Sequence, residues 1–291
     1  MTILQAIILG IVEGITEYLP VSSTGHLIIT QYFLGLPESD AMKAFSVCIQ
    51  GGAIIAVAGL YFSRVKQMCL GLLGKDAAGL KLVINLLIAF CPAVIIGLTL
   101  GGFIKDLLFN ATTVATTWIL GGIVILLFTG WRKRKGLDDQ GVDLEDLSPK
   151  QALGVGLLQC VAMCPGVSRS LSTMLGGLMV GLSLKAAIEF SFLLGLITLS
   201  AATVWDAMKH GEAMVQEIGV QGIVVGTIAS WLSAVVAVRW LVSYLQKHSL
   251  NIFGWYRIAA GIFMFALFFS GAQLMASDEE PAAPTTQEMS K

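Results

Sequence analysis

Long apolar runs govern this sequence, and two of them are broken at a proline by clustered polar groups. Segments at about 43–62, 82–102, 112–131, 186–205, 219–243 and 252–274 each approach the roughly 17–25 residues that cross a bilayer as a helix. Soluble domains do not carry several such runs. With 56% hydrophobic residues, 13% charged residues and a mean hydropathy of +0.81, the chain reads as an integral membrane protein. The net charge of −1 names no partner, and nucleic acid is not expected. The N-terminus lacks a basic stretch and carries Glu13 and Glu17 in its apolar core, so no cleavable signal peptide is expected. The five cysteines form no C-x-x-C motif and read as small buried hydrophobes.

The first broken segment, about 3–34, contains Glu13, Glu17, Pro20, Ser22, Ser23, Thr24, Gly25 and His26. Ionisable groups at membrane depth are costly, by about 2.5–3.5 kcal/mol each, and usually face a cavity or a partner. Glu13 and Glu17 are four residues apart, which puts both on one helix face. Pro20 is expected to stop that helix, with Ser22, Ser23 and Thr24 as caps for a second one. Free N–H groups beside clustered hydroxyls suit a phosphate. Hydroxyls that merely cap a kinked helix, with glutamates paired to lysines outside, are the plainer alternative; the nearest lysine is Lys43.

The second broken segment, 151–182, repeats the first. Gln5-Ala6, Gly10 and Val21-Ser22 recur as Gln151-Ala152, Gly156 and Val167-Ser168, at a constant offset of 146. Around its break lie Pro165, Gly166, Ser168, Arg169, Ser170 and Thr173. A guanidinium presents a planar fork of donors suited to phosphate oxygens; an arginine that simply pairs with Glu13 or Glu17 is the other reading. Three full spans per half is an odd number, so the second repeat enters from the opposite face. The expected fold is an all-α polytopic membrane protein, an inverted-topology repeat with two re-entrant helical hairpins and about six full spans. It divides into a first repeat (1–131, hairpin 3–34), a connection (132–150), a second repeat (151–275, hairpin 151–182) and a disordered tail (276–291).

Basic residues orient it. Arg64, Lys66, Lys75, Lys81, Arg132 to Lys135, Lys150, Lys185, Arg239 and Lys247 gather on one side, and Lys43, Lys105 and Lys209 on the other, besides the terminal Lys291. Twelve against three makes the first side cytoplasmic, with both termini and the first hairpin's mouth outside. Glu189 and Arg257 lie near cytoplasmic helix ends and are expected to snorkel.

Glu13-x-x-x-Glu17 with Pro20-Val-Ser-Ser-Thr-Gly-His26, and Pro165-Gly-x-Ser-Arg-Ser-x-x-Thr173, resemble the BacA-type undecaprenyl pyrophosphate phosphatases. Glu189-Phe-Ser-Phe-Leu-Leu194 and Ile49-Gln50-Gly51 look like family segments too. Leu171-Ser172 departs from a Gly-Ala common there, and the stretch after Leu194 lacks a common proline. The resemblance implies a multi-pass enzyme of the inner or plasma membrane whose site opens to the periplasmic or outer face. It would convert undecaprenyl pyrophosphate to the monophosphate carrier lipid for cell-wall synthesis, conferring bacitracin resistance when abundant. It also implies a divalent cation, Mg²⁺ or Ca²⁺. The partners expected are a polyprenyl pyrophosphate lipid and the bilayer, with a homodimer compatible. A transporter or lipid flippase shares the inverted-repeat plan and is the rival reading.

On this reading Glu17, Ser23, His26 and Arg169 form the reacting core. Glu13 joins Glu17 at the metal, and Ser22, Thr24, Gly25, Ser168, Ser170 and Thr173 contact phosphate. Ser23 and His26 are three residues apart and are expected to meet on one helix face, with His26 as base. Direct attack by His26 and water activated by Glu17 remain open.

Overall fold

Small polar caps start most of the helices in the computed structural model, which describes residues 1–37, 39–108, 110–137 and 140–271. The tail expected over 276–291 lies outside these described residues. Eleven α-helices form among them. The first hairpin is α1 (Ile3–Thr16) and α2 (Ser23–Phe33), followed by α3 (Asp40–Leu60), α4 (Phe62–Leu72), α5 (Ala77–Leu108) and α6 (Ala111–Arg134). The second is α7 (Pro149–Gln159) and α8 (Arg169–Met179), followed by α9 (Leu184–Ile218), α10 (Val220–Leu245) and α11 (Asn251–Phe269). Ser39, Asn110 and Ser183 cap α3, α6 and α9 by accepting from the N–H three residues on. The described residues form no β-strand; Val142 and Leu182 make one isolated parallel bridge.

Six helices, α3, α5, α6, α9, α10 and α11, are long and apolar enough to cross a membrane. The protein is all-helical and multi-pass. Its outer faces keep large apolar groups such as Leu98, Phe103, Val236 and Phe269 exposed, a surface suited to lipid. The main core brings α3 and α9 together around Ala53, Val57, Phe190, Phe192 and Leu193. Tyr18, Leu19 and Val21 of the first hairpin and Leu171 and Met174 of the second are buried in the same core.

Local geometry recurs at the offset seen in the sequence. Thr2 with Gln5, and Ser148 with Gln151, each form a reciprocal capping box. Gln5 Nε2 then donates to the Leu34 carbonyl at 3.1 Å, and Gln151 Nε2 to the Val180 carbonyl at 2.9 Å. Each bond ties the start of a hairpin to its end. Ser22 and Ser168 both have positive φ, 71° and 77°, and α2 and α8 are both 11 residues long.

Three expectations change. The first helix ends at Thr16, well before Pro20, and residues 17–22 make a turn instead. The stretch left unassigned between the apolar runs at 43–62 and 82–102 contains α4, and α9 runs to Ile218 rather than about 205. Both additions are polar but rich in helix formers such as Lys, Gln, Met, Ala and Glu, which an apolar-run reading overlooks. The cysteines are free, and Cys69 and Cys91 are exposed rather than buried.

The polar connection before α7 is held closely. Arg64 pairs with Glu145 and with Glu189, each at 2.6 Å. Lys81 Nζ donates to the Glu145 carbonyl at 2.6 Å, and Asn85 to the Leu147 carbonyl at 2.9 Å. Glu189 therefore does not snorkel. It is buried because Arg64, one turn into the segment after α3, supplies its counter-charge.

Candidate active site

The two hairpin turns meet in the protein interior. In the first, Ser22 adopts φ 71° and ψ 105° and its side chain makes no cap bond. This sparsely populated geometry is the kind that surrounding packing must hold in place. In the second, Ser168 takes almost the same dihedrals, and its Oγ accepts from Leu171 N at 3.3 Å.

Glu17, Ser23 and Arg169 form one hydrogen-bonded chain. Ser23 Oγ donates to Glu17 Oε2 at 2.6 Å, and Arg169 Nη2 donates to Glu17 Oε1 at 2.9 Å. Gln50 Nε2 approaches Glu17 Oε2 at 3.5 Å. Arg169 Nη1 donates to the Ser191 carbonyl at 3.2 Å, and its guanidinium lies 5.0 Å from the Tyr18 ring centroid. Arg169 Nε is buried without a partner, so one donor of the fork remains free. Glu17 and Ser23 are only 7% and 8% exposed, so the pair sits where electrostatic contacts are weakly screened.

His26 stands beside this chain but does not join it. Its Nδ1 lies 2.7 Å from the Ser22 carbonyl, which can only accept. Nδ1 therefore carries the proton, and in the neutral ring Nε2 accepts from the Tyr256 hydroxyl at 2.6 Å. The ring stacks parallel to Tyr256 and lies 4.7 Å from the Trp118 ring. The expected Ser23–His26 contact is thus replaced by Ser23–Glu17. Helical spacing favoured the first pair, but the non-helical turn folds Glu17 back onto Ser23.

Thr24 is half-buried in the first turn of α2, and Gly25 lies too close to the Trp118 ring for a side chain. The hydroxyls of the second hairpin point inward. Ser168 Oγ and Ser170 Oγ are 3.0 Å apart, and Ser170 donates to the Leu19 carbonyl at 2.8 Å. Thr173 donates to the Arg169 carbonyl at 2.9 Å, and its Oγ1 lies 2.6 Å from Ser191 Oγ. Ser170 and Thr173 are fully buried.

Glu13 is fully buried with both carboxylate oxygens lacking a hydrogen-bond partner, within electrostatic reach of Glu17 and Arg169. An unpartnered buried carboxylate is costly and is neutralised in practice by a proton or a cation. Glu13 offers the oxygen ligands that a hard cation such as Mg²⁺ or Ca²⁺ prefers, whereas both oxygens of Glu17 are engaged by Ser23, Gln50 and Arg169. No cluster of three or more His, Cys, Asp or Glu side chains able to hold a metal occurs among the described residues.

Sequence reasoning passed over Gln50, Tyr256 and Arg257 at this site. Arg257 does not snorkel. It is fully buried and donates to the carbonyls of Pro20, Thr117 and Gly166 at 3.3, 3.0 and 2.8 Å. It lies more than a turn inside α11, and packing against both hairpin turns closes its route to the surface. An arginine within an apolar run was the available signal; Tyr256 offered none. Cavities of about 460 and 570 Å³ open elsewhere, beside Arg64 and Glu189 and beside Phe128 and Arg132.

The sequence profile of the family described as "Bacitracin resistance protein BacA" matches residues 6–263. The chain is 45% identical over 270 residues to a protein of Rhodospirillum rubrum named undecaprenyl-diphosphatase 2, covering 92% of this chain and 96% of that one. It is 43% identical to the undecaprenyl-diphosphatase of Acidovorax ebreus, covering 93% and 97%. It is 42% identical to undecaprenyl-diphosphatase 1 of Chromobacterium violaceum, covering 92% and 97%.

Proposed function

The chain belongs to the BacA family, and from that premise we infer that it is a membrane phosphatase converting undecaprenyl pyrophosphate to undecaprenyl phosphate and inorganic phosphate. Cell-wall carrier recycling and bacitracin resistance fit this activity. A transporter or flippase is not favoured, since near-full-length relatives carry an enzyme's name.

The observation that carries the mechanism is the chain Ser23–Glu17–Arg169. A serine hydroxyl is a weak nucleophile until a base accepts its proton. Glu17 Oε2, 2.6 Å from Ser23 Oγ, is positioned for that. Ser23 Oγ attacks the terminal phosphorus, its proton passes to Glu17, and the bond to the bridging oxygen breaks as undecaprenyl phosphate leaves. Water then attacks the phosphoserine and frees Ser23 and phosphate. Arg169 turns its fork from Glu17 to the phosphoryl oxygens, where charge stabilisation has most effect in a dry site. The N–H groups opening α2, with Ser22, Thr24 and Gly25, face the same oxygens. Ser168, Ser170 and Thr173, engaged internally, support the second turn. His26, held by Ser22 and Tyr256, is a neutral group able to accept a proton at Nε2. Glu13 and Glu17 would hold a divalent cation that screens the pyrophosphate charge.

The inverted repeat is part of this reading. At about 1.5 Å per residue, α1 and α2 are roughly 21 and 16 Å long, and each falls short of a bilayer core of about 30 Å. The recurrence at 146 residues supports a first repeat over 1–131, a connection over 132–150 and a second repeat over 151–275. The first hairpin would open to the outer face of the cell membrane, with both termini outside. Dimerisation is compatible with this plan and is not required by it.

Trapping tests the chemistry. Purified protein should release phosphate from a polyprenyl pyrophosphate. Rapid quench with terminally labelled substrate should give an acid-stable phosphoserine in the peptide spanning Ser23. An acid-labile, base-stable adduct at His26 would transfer the nucleophile's role to the ring, and direct inversion without an adduct would give it to water.

A further inference from the structure

The proposed reaction needs groups from two hairpins to meet, Glu17 and Ser23 from the first and Arg169 from the second. Few bonds join the two turns. One is Ser170 Oγ to the Leu19 carbonyl at 2.8 Å. A second is the ion pair of Arg169 with Glu17 at 2.9 Å, and a third, which reaches both turns from outside them, is a single side chain, Arg257. Its Nη1 donates to the Pro20 carbonyl at 3.3 Å, and its Nη2 to the carbonyls of Gly166 at 2.8 Å and Thr117 at 3.0 Å. Pro20 lies in the first turn, Gly166 in the second and Thr117 on α6. The Thr117 hydroxyl also donates to the Pro165 carbonyl at 2.7 Å, which fixes α6 to the second turn.

Carbonyls just beyond a helix end have no partner within the helix, and Arg257 supplies one to each turn. No carboxylate pairs with Arg257 among the described residues, although the side chain is fully buried. A buried guanidinium balanced only by carbonyls is a poor source of stability. Its planar fork nevertheless fixes the directions of several acceptors at once, which an ammonium cannot do. The preceding residue, Tyr256, bonds His26 at 2.6 Å, so adjacent positions of α11 hold the first hairpin at two places.

We propose that Arg257 is a positioning residue that sets the two hairpin turns in register, so that Arg169 reaches the phosphoryl group attacked by Ser23. The inference rests on the phosphatase reading. The proposed transition state needs Ser23 from one hairpin and Arg169 from the other held in line, so loss of register lowers kcat more than it raises KM.

The test uses full-length protein purified in detergent, with undecaprenyl pyrophosphate as substrate. Arg257→Lys should lower kcat tenfold or more while KM stays within threefold. In an Arg169→Lys background the same change should cost less than threefold, because a lost clamp has nothing left to misalign. Gly121→Ala is the second variant: a Cβ there would lie 2.5 Å from Nη2 of Arg257, pushing the fork off its carbonyls while keeping its charge. It should give the same pattern, and it decides the matter where Arg257→Lys fails to fold. Equal losses in both backgrounds, or kcat within twofold of wild type in a folded variant, would overturn the proposal. A wild-type protein that releases no phosphate would sink the phosphatase reading and this inference together.

Discussion

Arg169 holds a carboxylate and a carbonyl with two arms of one fork, 2.9 Å from Glu17 and 3.2 Å from Ser191, and keeps Nε free. Arg169→Lys retains the charge but offers a single point donor, so it should cut kcat/KM by tenfold or more, about 1.4 kcal/mol of transition-state stabilisation. Near-normal activity in a correctly inserted variant would remove the clamp from the mechanism. Glu17, Ser23 and Arg169 could be singled out in the sequence because ionisable and hydroxyl groups stand out within apolar segments. Their pairing could not. Helical spacing links Ser23 to His26, whereas the bond to Glu17 depends on residues 17–22 leaving the helix. Arg257 was visible as a residue but not as a role, because its acceptors are backbone carbonyls up to 237 residues away.

At the scale of elements, the first hairpin is seated by close approach of α1 to α10. A Cβ on Gly10 would strike the Gly226 carbonyl, and one on Gly14 the Ser230 carbonyl. Helices in lipid lack a hydrophobic drive toward one another, so small residues that let backbones approach carry much of the association. Gly14→Ala should therefore force the helices apart and lower the thermal unfolding midpoint, with a cost of about 1–3 kcal/mol for overpacking. Gly59→Ala on α3, where nothing lies within 4 Å, is the control and should be neutral or stabilising. If both variants unfold alike, close approach is not what seats α1. The spans themselves were legible, since lipid exposure demands long apolar runs. The polar helix α4 and the far end of α9 were not, because outside the apolar region nothing in hydropathy separates helix from loop.

For the whole molecule, the offset of 146 was visible in the sequence as sparse identities, and it returns as matched capping boxes and matched serine dihedrals. In the proposed inverted repeat, halves of three spans each would enter from opposite faces, so orientation would follow once one loop is placed. Arg64 of α4 joins Glu189 of α9 to Glu145 of the connection, and Lys81 at the start of α5 holds the Glu145 carbonyl. The proposed orientation, which follows the bias toward retaining Lys and Arg in the cytoplasm, has that end inside. Gln140 and Gln221 are exposed and lie on opposite ends of this arrangement. A test begins from a background in which the five free cysteines are replaced, so that only the introduced thiol can react. In intact cells or sealed right-side-out vesicles, Gln221→Cys should be labelled by an impermeant thiol reagent, and Gln140→Cys only after the membrane is opened. Because Gln140 sits in the connection before α7, lipid burial does not explain a silent Gln140→Cys, and Gln221 lies in the first turn of α10. The reverse pattern would turn the molecule over, carry the mouth of the first hairpin to the cytoplasm, and remove the outward-facing site from the proposed function.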